Sequence, residues 1–123
     1  MHGGVTEGLR SRGGSRGNEL TMTGVQRGRL LDATAGPATG ERAHEIVHTR
    51  TVRIEQVLSG SLEPVGYLQA EDEWALVLDG AATLEIEGDQ IELGPGEWVF
   101  LPAGTPHRLL RADPGTNWLT VRI

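Results

Sequence analysis

The chain has 123 residues, enough for one domain built on one core. Its 17 acidic and 11 basic residues leave a formal net charge of -6, which opposes attraction to phosphate backbones and anionic lipid and so disfavours nucleic-acid and membrane-surface roles. Cysteine is absent, which excludes disulfides, thiolate nucleophiles and thiolate metal sites and leaves nitrogen and oxygen donors for any metal.

Residues 1–25 are rich in glycine and arginine and carry almost no hydrophobic periodicity, so ordering them costs more backbone entropy than their contacts return. They read as a flexible tail, with a single domain expected over residues 26–123. No apolar stretch approaches the roughly 20 residues that span a bilayer, and the opening lacks the apolar core of a signal peptide. A cytoplasmic location is the expectation.

Within RGRLLDATAGPATG, Leu30 and Leu31 offer an anchor, and the small residues and Pro37 that follow suit an irregular cover over one end of a barrel. Thr39 stands where it would cap a short helix through ERAHEIVH. On that helix His44 and His48 would lie one turn apart, a spacing that chelates zinc, but no HExxH arrangement accompanies them and the ordinary reading is surface histidines.

The period then changes to two. Val52, Ile54 and Leu58 alternate with Arg53, Glu55 and Ser59, apart from one ambiguous step at Gln56 and Val57, as in a half-buried strand. Strands are predicted over Gly66–Gln69 and Trp74–Leu78, on either side of the acidic run EDE. Asp79-Gly80 gives a tight turn before ATLEIEG, and Gly88-Asp89 leads into QIEL, where Ile91 and Leu93 oppose Glu92. After GPGE, Trp98–Leu101 resumes the pattern, Pro102, Gly104 and Pro106 confine the next turn, and His107–Leu110 and Asn117–Ile123 complete the set. In the last strand Leu119, Val121 and Ile123 alternate with Trp118, Thr120 and Arg122. About seven or eight short strands without crossover helices predict an all-β antiparallel barrel or double sheet.

Two spacings in this region resemble the motifs of the cupin superfamily, the small jelly-roll β-barrels. In EWALVLDG, Glu73 and Gly80 match the end of the first motif, G-x5-H-x-H-x3,4-E-x6-G. In GEWVFLPAGTPH, Gly96, Pro102, Gly104 and His107 match the second, G-x5-P-x-G-x2-H-x3-N, with Arg111 at the position often held by Asn. The resemblance covers about Val52 to Ile123 and implies a jelly-roll barrel. It also implies a metal site of three histidines and one glutamate. Here those positions fall on Tyr67, Gln69, Glu73 and His107, so the first motif is degenerate and half of the imidazoles are missing.

Two readings of these four residues follow. Gln69, Glu73 and His107 would hold one divalent transition metal (Mn, Fe, Ni or Zn), weakly for want of imidazoles. Alternatively, Tyr67, Gln69, Glu73 and His107 form a metal-free hydrogen-bonded network that lines a ligand pocket. Trp98 is a further candidate for stacking on a ligand, and Trp74 and Trp118 share that possibility, against ordinary packing in a core or at a subunit contact. Arg108 and Arg111 are candidates for meeting a carboxylate at the barrel mouth, against solvated strand ends. No catalytic residue is identified.

The functional expectation is a module that binds or senses a small molecule in a polar barrel pocket. The alternative is a metal-dependent dioxygenase, isomerase or lyase acting on a small polar substrate, a range of chemistries that only the resemblance supplies. A homodimer is expected, because a small barrel has two sheet faces but one interior and the apolar residues exceed what the interior holds.

Overall fold

A computed structural model describes residues 19–20 and 24–123. Apart from Glu19, Leu20, Gly24 and Val25, the expected tail lies outside the described residues. Strand β1 (Glu19–Leu20) pairs with β2 (Gln26–Arg27) in a small antiparallel ribbon. The barrel follows: β3 (Glu41–His48), β4 (Arg53–Ser59), β5 (Val65–Tyr67), β6 (Glu73–Asp79), β7 (Ala82–Ile86), β8 (Asp89–Leu93), β9 (Trp98–Leu101), β10 (His107–Ala112) and β11 (Asn117–Arg122). They form two antiparallel sheets, one of five strands in the order β3-β4-β11-β6-β9 and one of four in the order β5-β10-β7-β8. Among the described residues the only helical element is a single 3₁₀ turn, Ala33–Ala35, whose preceding Asp32 side chain accepts the Thr34 N–H at 3.0 Å. No helix there is long and apolar enough to cross a membrane.

The helix expected through ERAHEIVH is not formed. The segment is β3, paired with β4 across nearly its whole length, with a bulge between Glu45 and Val47. Directly opposed residues share a sheet face. His44, opposite Gln56, and His48, opposite Arg53, therefore lie on opposite faces, and the chelating pair vanishes with the helix. One of the predicted turns also shifts by a residue. The β7–β8 hairpin turns on Glu87-Gly88, both with positive φ (52° and 89°), so Asp89 already opens β8. Gly80 combines φ +92° with a close approach: a Cβ there would lie 2.5 Å from Thr116 Oγ1.

Amphipathic strands ordinarily send their apolar side to the core. Strands β4 and β11 divide their faces differently. Val57, Trp118 and Thr120 face the interior, and the ladder puts Glu55 opposite Thr120 and Arg53 opposite Arg122 on that same face. Ile54, Gln56 and Leu58 take the outer face, where the cover segment lies over them. The Gln56 amide, fully buried, accepts the Leu31 N–H at 2.7 Å and donates to the Leu31 carbonyl at 3.1 Å. A Cβ at Gly36 would touch that of Leu58 at 3.4 Å.

The interior is thus divided along its length. One end is apolar and closely packed around Val77, Ala82, Leu84, Leu93, Leu109, Ala112 and Trp118. The other end carries Glu73, His107, Arg122 and their neighbours. The apolar end stabilises the fold, at about 1.5–3 kcal/mol per buried large aliphatic side chain. Leu93→Ala is expected to cost about 2–5 kcal/mol in urea denaturation. Leu68→Ala, at a side chain 71% exposed, should stay within about 0.5 kcal/mol of the parent.

Candidate functional site

The turn Pro102–Pro106 sets the position of His107. It is held against the loop before β6: Asp72 Oδ1 accepts the Ala103 N–H at 2.8 Å, the Gln69 carbonyl accepts the Gly104 N–H at 2.8 Å, and the Pro102 carbonyl accepts the Thr105 N–H. Asp72 also exchanges both backbone hydrogen bonds with Ile123, at 3.0 and 3.2 Å, so the loop, the turn and the chain end are tied together. His107 then opens β10 between Tyr67 of β5 and Ile86 of β7. Its ring is buried and stacks on that of Tyr67, with centroids 5.5 Å apart and planes at 26°. Nδ1 lies 3.0 Å from the Thr105 carbonyl. A carbonyl only accepts, so Nδ1 carries the proton and Nε2 is the nitrogen left for another partner.

Tyr67, Gln69, Glu73 and His107 line one cavity of about 100 Å³ at the polar end of the barrel. Trp98 is elsewhere, 58% exposed on the outside of edge strand β9 with Phe100 as its neighbour on that face, and 6.3 Å from Trp74 between ring centroids. Arg108 and Arg111 also point away, pairing at the surface with Glu85 (3.4 Å) and Asp113 (3.0 Å). Trp118 does reach the cavity, as part of its wall, with Nε1 donating to Ser59 Oγ at 3.1 Å.

The cavity includes charged residues that the sequence reading passed over. Glu41 accepts from Tyr67 Oη through one carboxylate oxygen and from Ser59 Oγ through the other, both at 2.9 Å, joining β3 of one sheet to β5 of the other. Arg122 stands opposite Glu73 on β6 and opposite Arg53 on β4. Arg122 Nη2 lies 3.4 Å from Glu55 Oε1. Alternation in WLTVRI put Thr120 and Arg122 on the face of Trp118, and that was the available signal.

These neighbours set the protonation of the site. Burial raises the Glu73 carboxyl above its ordinary range; Arg122 and His107 oppose the shift, while Glu55 and Glu41 reinforce it. Burial also pushes the Tyr67 phenol well above its usual value, followed by the charge of Glu41 and the hydrogen bond to it. Tyr67 therefore keeps its proton and donates a hydrogen bond to Glu41.

The donor set does not fit a tightly held divalent ion. Tyr67 is an occupied phenol, His107 supplies the one imidazole nitrogen, and the Arg122 guanidinium already stands beside the only carboxylate among the proposed metal ligands. Among the described residues no three His, Asp or Glu side chains converge as metal ligands would.

Comparison with known proteins agrees with this architecture. The cupin domain family profile matches residues 54–119, more than half of the chain. The chain belongs to the cupin family. Among solved cupin-like structures, a Ralstonia eutropha JMP134 protein, provisionally named as a mannose-6-phosphate isomerase, is 30% identical, with 76% of this chain and 96% of that one covered and a TM-score of 0.64. A cupin superfamily protein from Desulfitobacterium hafniense DCB-2 is 21% identical over 76% of this chain and 88% of its own, with a TM-score of 0.63. The polyketide cyclase RemF from Streptomyces resistomycificus shares the fold at 21% identity and a TM-score of 0.57, over 76% of this cupin and 78% of its own chain. No protein of curated function matches this cupin.

The raised Glu73 has a consequence for stability. A carboxyl whose folded pKa exceeds its unfolded one favours the fold most below the unfolded value, and that advantage is lost as pH rises through the folded value. Glu73→Gln, which cannot ionise, is expected to remove this loss. The melting temperature of the variant relative to the parent should rise as pH increases above the ordinary carboxylate range, measured by differential scanning calorimetry at several pH values.

Proposed function

We propose that this cupin binds a small polar molecule in the mouth of its barrel, as a binding or sensing module. The observation that carries the reading is the cavity itself. Gln69, Glu73, His107, Thr120 and Arg122, with Glu41 and Tyr67 beside them, line a space whose other wall is apolar, from Val57, Leu84, Leu101 and Leu109. A few fixed polar groups on an apolar wall are the usual make-up of a small-molecule site. The Ralstonia relative's name supports a small polar metabolite as the class of occupant. A hexose phosphate is far larger than about 100 Å³, so that named substrate is not part of the proposal.

His107 is expected to contact the occupant through Nε2, because Nδ1 is committed to Thr105. His107→Ala should lower affinity at least tenfold for whichever compound a thermal-shift panel of small polar metabolites selects, measured by calorimetry, and should leave the far-ultraviolet spectrum unchanged. Equal affinity in variant and parent would show that the ring has only a packing role. Incubating the selected compound with the protein decides between binding and catalysis, since turnover yields product and simple binding returns the compound unchanged.

We also propose that a second copy covers the β6–β9 end of the outer face of the five-stranded sheet, away from the cover segment over β4. Trp98 and Phe100, 58% and 48% exposed on edge strand β9, support this together with Trp74 beside them. Sedimentation is expected to give about twice the 13.2 kDa chain mass, and Trp98→Lys with Phe100→Lys to return a monomer.

A further inference from the structure

The polar end of the barrel holds an unusual juxtaposition. Arg53 of β4 and Arg122 of β11 are directly opposed on the interior face, and like charges so placed repel. Glu73 flanks Arg122 on the other side, and Glu55 lies next along β4. Part of the positive charge is compensated by the 3.4 Å approach of Arg122 Nη2 to Glu55 Oε1, and Arg53 Nη2 lies 3.3 Å from His48 Nε2. The hydrogen bonding is incomplete. Among the described residues, the buried Nε–H groups of Arg53 and Arg122 have no acceptor, and the buried Glu55 Oε1 has no donor in hydrogen-bond geometry. Leaving such groups unmade is costly.

Arg122 lines the cavity with a side chain 27% exposed, so a ligand entering it meets the outer end of the guanidinium, while the unpartnered Nε is sealed beneath. The planar fork of a guanidinium matches a carboxylate group in shape and charge. The acidic neighbours limit how much negative charge the site accepts. Glu41 and Glu73 share the cavity wall and Glu55 pairs with Arg122, which disfavours a dianion such as a phosphate monoester. Size sets the other limit. A cavity of 150 Å³ takes a benzene ring, so about 100 Å³ holds roughly four non-hydrogen atoms, and the open mouth leaves room for the rest of a three-carbon acid. The His107 Nε2 remains for a second polar group on the ligand, whereas the Thr120 hydroxyl already donates to the Glu55 carbonyl at 3.4 Å and keeps only its acceptor side.

We propose that the cavity recognises a short-chain monocarboxylate bearing a hydroxyl or keto oxygen, with its carboxylate on Arg122 and that oxygen toward His107. This rests on the small-molecule reading above and names the chemical class of the occupant. It assigns Arg122 as the specificity-determining residue.

Calorimetry on the full chain with lactate, pyruvate, lactamide, glycerol and inorganic phosphate tests it. Expected is saturable binding of lactate or pyruvate, at least tenfold weaker binding of lactamide, and no competition from phosphate. Arg122→Gln should weaken carboxylate binding at least tenfold, and Arg122→Lys, which keeps the charge but not the fork, should recover part of it. If Arg122→Gln fails to fold, the lactate and lactamide comparison on the parent protein decides alone. Lactamide or glycerol binding as tightly as the acids, phosphate binding in preference to them, or acid binding indifferent to a folded Arg122→Gln would each overturn the carboxylate assignment and leave the small-molecule reading standing. Binding of none of the five would overturn the carboxylate assignment, and the broader thermal-shift panel then decides the small-molecule reading.

Discussion

Strand β11 lies between β4 and β6, and its double pairing is the constraint on which the rest depends. Asn117–Arg122 is matched residue for residue to Leu58–Arg53 on one side and to Asp79–Glu73 on the other, with one irregularity at Asn117. A slip of one residue would turn Trp118 and Arg122 to the outside together. The entry into the strand is fixed by Thr116, which is fully buried and whose hydroxyl accepts the Ala81 N–H and donates to the Asp113 carbonyl at 2.6 Å. That contact needs Gly80, since any side chain there would occupy the space of Thr116. The turn glycine and the cavity arginine are thus linked through one short strand.

The two sheets are also tied by hydrogen bonds that pass through the site. Trp118 donates to Ser59, Ser59 donates to Glu41, and Glu41 accepts from Tyr67 on the facing sheet. Each member of this chain has its partner, from the buried Trp118 and Ser59 out to Glu41 and Tyr67 at the exposed rim. Tyr67 then stacks on His107, so the network that closes one side of the barrel also sets the ring that faces the cavity. Architecture and recognition share the same side chains here. The two tyrosine contacts explain why a histidine position of the family motif can hold tyrosine while the barrel keeps its shape.

Much of this was legible in the sequence. Gly96, Pro102, Gly104 and His107 carry the second motif, and Glu73 with Gly80 carries the end of the first, because turns and strand starts impose residue types at fixed offsets. Strand β3 was not legible. Its bulge at Glu45–Val47 interrupts the period of two, and the remaining spacing of His44 and His48 imitates a helical turn. The inward charges were missed for another reason. Alternation separates two faces of a strand but does not say which is inside, and Arg53, Glu55 and Arg122 read as solvent-facing until the outer face of β4 is seen under its cover. Glu41 was hidden with β3, and with it the partner that holds Tyr67.

The clamp between Gln56 and Leu31 addresses only main-chain atoms: one amide group reads the N–H and the carbonyl of a single residue, as a neighbouring strand would. Its nitrogen also reaches Asn117 Oδ1 at 2.9 Å, which orients the amide from the side. Because no atom of the residue 31 side chain takes part in this contact, the specification of where the cover docks resides in the barrel rather than in the cover. The covering segment is therefore free to drift in composition at that point while keeping its place, whereas position 56 has little latitude, since glutamate would lose the donor and an aliphatic residue both halves of the grip.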